Sequence, residues 1–181
     1  MSRIQQTSFE QATGERAEIY SGIKKSIGLV PNLYQAIGSS PRALKVLLGI
    51  GGGLKGGLIS AADQESIALA VAQANGCDYC LSAHSAIGKM VGLTTEQIGE
   101  ARSGHGQNAR ATAALTFARR VLETRGEISD EDVAAVRAAG FNDGEVAEII
   151  AHVALNVLTN YFNKAAEVEI DFPRVSFATA G

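Results

Sequence analysis

Residues 65–84 read Glu65-Ser66-Ile67-Ala68-Leu69-Ala70-Val71-Ala72-Gln73-Ala74-Asn75-Gly76-Cys77-Asp78-Tyr79-Cys80-Leu81-Ser82-Ala83-His84. The run Ile67 to Ala72 is apolar without strand alternation. Ser60 with Asp63 upstream has the form of a capping box, and Asn75-Gly76 is a helix stop. A second helix is expected from about Cys77 to Met90. If the turn folds the two helices back antiparallel, Glu65 and His84 each lie roughly nine or ten residues from it. At about 1.5 Å per residue they come to the same height on facing helices.

The second helix carries the motif C-x-x-C-x-x-x-H. At about 100° per residue, Cys77, Cys80 and His84 fall within an arc of about 60°, on one helical face. Cys77 sits at the helix start, where free N–H groups and the helix dipole favour a thiolate. His84 is the i+4 neighbour of Cys80, close enough to exchange a proton with a thiol directly or through a water. Two neighbouring thiols let one sulfur, once oxidised, be captured by the other as a disulfide. A carboxylate at Glu65 could orient the imidazole and raise its basicity. The pattern suits a thiol-dependent two-electron reduction. Half a metal site and a structural coincidence are the other readings of a C-x-x-C pair. Zinc is disfavoured because a structural site takes four ligands and only His105 and His152 remain as nitrogen donors.

Helix punctuation continues on both sides. Ser40-Pro41 is an N-cap followed by proline at the first helical position. Thr94 with Gln97, Asn108, Ser129 with Asp132, and Asn142 are further starts, and Gly104, Gly126 and Gly140 are stops. The segment Gly49 to Gly57 is expected to be a glycine-rich loop. Its G-x-G-x-x-G match, Gly51 to Gly56, follows a helix instead of a strand, which sets nucleotide binding aside. A long last helix, from about Asp143 to Val168, carries Glu148, His152, Asn156, Asn160 and Asn163 on one arc. That arc reads as a solvated face, or as a polar seam at a subunit interface or pocket. The expected fold is all-α, a single domain over 1–181 of about seven or eight helices. It comprises an N-terminal segment at 1–20, the C-x-x-C-x-x-x-H core at 60–100 and a loose tail at 174–181.

Composition narrows the function classes. The chain has 181 residues, 46% hydrophobic and 19% charged, with a net charge of −3. These are globular values, with no basic footprint for nucleic acid and no polybasic segment for a membrane surface. The polar stretch 1–16 lacks the apolar core of a secretory signal. The expectation is a soluble cytoplasmic protein that binds neither nucleic acid nor membrane. Its only two cysteines are too close together to staple the fold.

Glu65, twelve positions before Cys77-Asp78-Tyr79-Cys80, and His84 beyond it resemble the core motif of the alkyl hydroperoxidase D-like (AhpD-like) group. That group is part of the carboxymuconolactone decarboxylase superfamily. Pro31-Asn32-Leu33-Tyr34, Ser40-Pro41 and Asn156-Val157-Leu158-Thr159-Asn160-Tyr161-Phe162-Asn163 resemble its longer, peroxidase-related branch, so the similarity covers roughly residues 30–173. The resemblance implies an all-helical fold, assembly into homo-trimers or hexamers, and an antioxidant peroxidase that uses no cofactor and no metal. It implies Cys80 as the peroxidatic thiol, Cys77 as the resolving thiol, and Glu65 and His84 as relay members. The expected substrate is a hydroperoxide, with a dithiol or protein reductant as partner. The best-known member has a histidine just before the second cysteine. Here Tyr79 stands there, a poor proton carrier at neutral pH. Tyr79 and His152 are possible accessory residues. Thiol–disulfide exchange or redox sensing by an oligomer is the alternative function. A lyase or isomerase using Glu65 and His84 as acid and base ranks lower.

Overall fold

A computed structural model describes residues 2–177. Among them the regular elements are nine helices: α1 (Gly14–Ile27), α2 (Asn32–Ile37), α3 (Pro41–Leu54), α4 (Ala61–Ala74), α5 (Asp78–Met90), α6 (Thr95–Arg102), α7 (Ala109–Glu123), α8 (Asp130–Ala138) and α9 (Asp143–Ala166). The fold is therefore all-α, with nine helices where seven or eight were expected. The weakest local signals belong to α1, whose N-cap Thr13 makes no side-chain cap bond, and to the six-residue α2. Nothing in the described residues is long and apolar enough to cross a membrane as a helix.

At the centre lies α4, packed against α5, α6, α7 and α9. Every residue from Ser66 to Ala72 is buried, so the helix is covered on all sides. Ile67, Leu69 and Val71 are fully inaccessible, and each contributes on the order of 1.5–3 kcal/mol by leaving water. Ser60 Oγ accepts the Asp63 N–H at 3.1 Å, while the backbone just before it is held by Glu148, whose Oε2 accepts the N–H groups of Leu58 and Ile59. A helix buried all round fixes the height of every side chain along it, Glu65 included.

The bend between α4 and α5 is closed by its own backbone. Gly76 adopts φ +60°, a conformation that strains any residue with a Cβ. The Gly76 N–H reaches Gln73 O at 3.1 Å and the Cys77 N–H reaches Ala72 O at 3.0 Å. This is the Schellman pair that ends α4. One residue thus serves two helices: the Cys77 N–H closes α4 while its sulfur caps α5.

Three expectations need correction. The glycine run from Gly49 is helical to Leu54, not a loop. Leu44 and Leu47 keep α3 docked on α1, α2 and α9, and this packing outweighs a cost of about 1 kcal/mol per glycine. A Cβ at Gly49, Gly51, Gly52 or Gly53 would meet nothing, so no close approach requires these glycines. The polar arc of α9 is not a solvated face: His152, Asn156, Asn160 and Asn163 are all buried against the core. The tail is pinned as far as it is described. Val175 N–H donates to Ser82 Oγ at 2.9 Å, Ser176 O accepts from Arg102 at 3.0 Å and Phe177 N–H donates to Asp78 Oδ1 at 2.7 Å. Positions 178–181 of the expected loose tail lie outside the described residues.

Candidate active site

Cys77 and Cys80 are joined as a disulfide, and both are buried, at 1% and 2% exposure. Cys77 is the N-cap of α5, and its Sγ accepts the Cys80 N–H at 3.2 Å. A sulfur in that position sits where the unpaired N–H groups of the first turn favour negative charge once the disulfide is opened.

One turn along α5, His84 faces α4. Its Nδ1 lies 2.8 Å from Glu65 Oε2, and both side chains are largely but not wholly covered, at 21% and 17% exposure. A carboxylate on one ring nitrogen fixes the orientation of the imidazole and leaves Nε2 for exchange with another group. In the disulfide form neither ring nitrogen hydrogen-bonds a sulfur. Among the described residues the hydrogen bonds to sulfur come from the Cys80 N–H and from Asn163.

His152 on α9 lies within electrostatic reach of the same carboxylate. Burial pushes its pKa below the ordinary histidine value, against the opposing pull of Glu148 and Glu65. Its Nε2 is buried with no hydrogen-bond partner. His152 is thus a neutral imidazole near Glu65 at neutral pH, whereas His105 is exposed in the loop between α6 and α7. No group of three or more potential metal-ligating side chains occurs among the described residues.

Tyr79 points away from the relay. Its Oη accepts the Leu33 N–H at 3.1 Å and its ring meets Phe172 edge-on. Burial raises its pKa far above the ordinary tyrosine value, with Asp171 adding to the effect and the Leu33 bond opposing it. The side chain joins α5 to α2, keeps its proton near neutral pH and so relays none.

The C-terminal half of α9 secures the bend, a role the sequence reading did not assign. Asn160 Oδ1 accepts from Asn75 Nδ2 at 3.0 Å, Lys164 Nζ donates to Asn75 O, and Asn163 Nδ2 lies 3.4 Å from Cys80 Sγ. The repeating asparagines of α9 were the available signal, but polarity alone does not say whether a helix face meets solvent or the core. A cavity of about 440 Å³ opens beside the disulfide, lined by Gly76, Cys77, Asp78, Tyr79, Asn163, Lys164, Glu167, Val168, Ile170 and Phe177. Cys77 borders this space; Cys80 does not.

Residues 41–124, from the start of α3 to the end of α7, match the family model described as the carboxymuconolactone decarboxylase family. The match contains Glu65, both cysteines and His84, but not α9. Comparison with curated proteins gave no match. Among solved structures, an uncharacterized peroxidase-related protein with an alkylhydroperoxidase AhpD core, from Ralstonia eutropha JMP134, is 23% identical with a TM-score of 0.85. The alignment covers 94% of this chain and 92% of that one. A peroxidase-related protein from Silicibacter sp. TM1040 is 22% identical with a TM-score of 0.79, covering 93% and 94%. The debrominase Bmp8, in a variant complexed with 2,3,4-tribromopyrrole, is 21% identical with a TM-score of 0.73, covering 85% and 84%. At these identities the likeness to solved structures is one of fold.

Proposed function

We propose that the chain, whose residues 41–124 match the carboxymuconolactone decarboxylase family and whose fold is that of an AhpD core, is a thiol-dependent peroxidase of that superfamily reducing hydroperoxides. The observation that carries the reading is the Glu65–His84 hydrogen bond on the hairpin that also holds the Cys77–Cys80 couple. In the reduced protein, Cys80 gives its proton to the imidazole that Glu65 orients. The thiolate attacks the terminal peroxide oxygen, the O–O bond breaks, and the leaving alkoxide takes the proton from His84 and departs as the alcohol. Cys80 is left as a sulfenic acid. The Cys77 sulfur attacks it, the S–O bond breaks, and hydroxide leaves as water on taking the Cys77 proton. An external dithiol, small molecule or protein, then supplies two electrons and two protons to reopen the disulfide. A reducing compartment such as the cytoplasm suits that last step.

Reductant-dependent turnover of cumene hydroperoxide tests the reading. The intact chain turns over, and Cys80→Ser and Cys77→Ser each lose catalytic turnover; equal rates in all three would overturn it. Since a debrominase shares the fold, 2,3,4-tribromopyrrole is the control substrate, and turnover of it without peroxide turnover would also overturn the proposal.

Thiol–disulfide exchange is the second reading, favoured by the position of Cys77 as helix N-cap on the wall of the cavity. It predicts rapid exchange with external thiols and negligible peroxide turnover. We further propose self-association into trimers or hexamers through the exposed apolar side chains of α3 and α9, Val46, Ile50, Ile150, Leu158 and Tyr161. Light scattering of the purified chain checks this, and a monomer at all concentrations contradicts it.

A further inference from the structure

We propose that Asn163 is a catalytic residue of the dithiol, its side-chain amide being the donor that stabilises the Cys80 thiolate. The inference rests on the peroxidase reading for the choice of Cys80 as the attacking sulfur. Asn163 lies on α9, outside the segment matched by the family model, and is 4% exposed. Its Nδ2 is 3.4 Å from Cys80 Sγ, and its Oδ1 is buried with no hydrogen-bond partner. A buried amide with one unpaired end is unfavourable, and a disulfide sulfur is a weak acceptor that offsets little of the cost. The same amide meets a much stronger acceptor when Cys80 carries a negative charge, because a charge-assisted hydrogen bond is roughly twice as strong as a neutral one. The amide is therefore better matched to the reduced, ionised state than to the disulfide.

The two sulfurs then have separate donors. Cys77 has the backbone N–H of Cys80, and Cys80 has the side chain of Asn163. The charged and titratable groups on α5 and on the elements packed against it include Asp78, Tyr79 and His84 on α5, Glu65 on α4, and His152 and Lys164 on α9, with Arg174 from the tail paired to Asp78. Among the described residues none of these hydrogen-bonds the Cys80 sulfur in the disulfide form. Burial raises a thiol pKa, so a thiolate at this depth needs a donor to oppose desolvation.

The test follows the rate of iodoacetamide alkylation against pH in the full chain carrying Cys77→Ser, where Cys80 is the only thiol. The midpoint is expected below the ordinary cysteine value of about 8.5. Adding Asn163→Ala raises it by about one unit, as expected for loss of one hydrogen bond to a charged group. Asn163→Asp keeps the shape but supplies only an acceptor, and raises the midpoint further. Profiles that coincide in folded Asn163 variants overturn the assignment, because a purely structural residue would change the melting temperature and not the midpoint. Asn163→Asp serves where the truncated variant does not fold. If neither folds, the Cys77→Ser profile alone decides, and a midpoint at or above the ordinary value overturns the assignment. Alkylation needs no peroxide, so a chain that shows the shift but turns over no hydroperoxide loses the peroxidase reading and retains this one.

Discussion

Glu65 on α4 and His84 on α5 are nineteen residues apart in sequence, yet their side chains meet at 2.8 Å across a bend closed by the backbone hydrogen bonds of Gly76 and Cys77. The Schellman closure at Gly76 and the all-round burial of α4 leave the two helices one relative height. The carboxylate–imidazole distance is thus set by the hairpin itself and does not depend on a flexible loop. In the proposed reaction this pair takes the thiol proton and returns it to the leaving alkoxide.

Glu65→Gln keeps the size of the side chain and removes its charge. The expected result is a fall in kcat/KM for cumene hydroperoxide of about 10- to 100-fold, the usual effect of losing a partner that orients an imidazole, with little change in melting temperature. Steady-state kinetics and a thermal melt check it. Unchanged kinetics would remove Glu65 from the proton path.

Tyr79→Phe takes the acceptor from the buried Leu33 N–H and leaves the Phe172 contact in place. An unpaired buried donor costs on the order of 1–3 kcal/mol, so the urea midpoint falls with the m-value unchanged. Because the phenol carries no proton in the proposed mechanism, the pH profile of turnover stays in place. A displaced profile would show Tyr79 to be a relay member after all.

Burial lowers the folded-state pKa of His152 below its unfolded value. Below the unfolded pKa, near about 6.5, the unfolded chain binds a proton that the folded chain does not, so stability is lost as pH falls through that value towards the folded pKa. His152→Gln removes the titrating ring and flattens this dependence. Thermal melts over mildly acidic to neutral pH, for the parent and the variant, check the sign. Parallel curves would contradict it.

Ser82 Oγ donates to Asp78 O at 2.8 Å and accepts the Val175 N–H at 2.9 Å, and Phe177 lines the cavity beside Cys77. Ser82→Ala is expected to loosen the segment 174–177 and speed reduction of the disulfide by dithiothreitol severalfold. Stopped-flow thiol release measures the rate. An unchanged rate would show that the segment does not limit access to Cys77.

Much of this geometry was legible because it is local. Ser60, Asn75-Gly76 and the spacing of Cys77, Cys80 and His84 each act within a turn or two of helix, and they placed the hairpin and its carboxylate–imidazole pair. What was not legible depends on distant packing. The glycines of α3 stay helical because Leu44 and Leu47 dock on other helices, which outweighs their propensity. The spacing of the α9 asparagines leaves a solvated face, a subunit seam and a pocket lining open, because nothing in it reveals that α4 and α5 cover them; Asn163 does line the cavity. Ser176 and Phe177 are held by Arg102 and Asp78, partners 74 and 99 residues away in sequence.

The account stands most directly on which sulfur takes the peroxide oxygen. The reduced Cys77→Ser chain, treated with one equivalent of cumene hydroperoxide and dimedone, should carry the adduct on Cys80 when its peptides are read by mass spectrometry. The Cys80→Ser chain should carry little on Cys77. The reverse, an adduct on Cys77 and none on Cys80, would contradict the account.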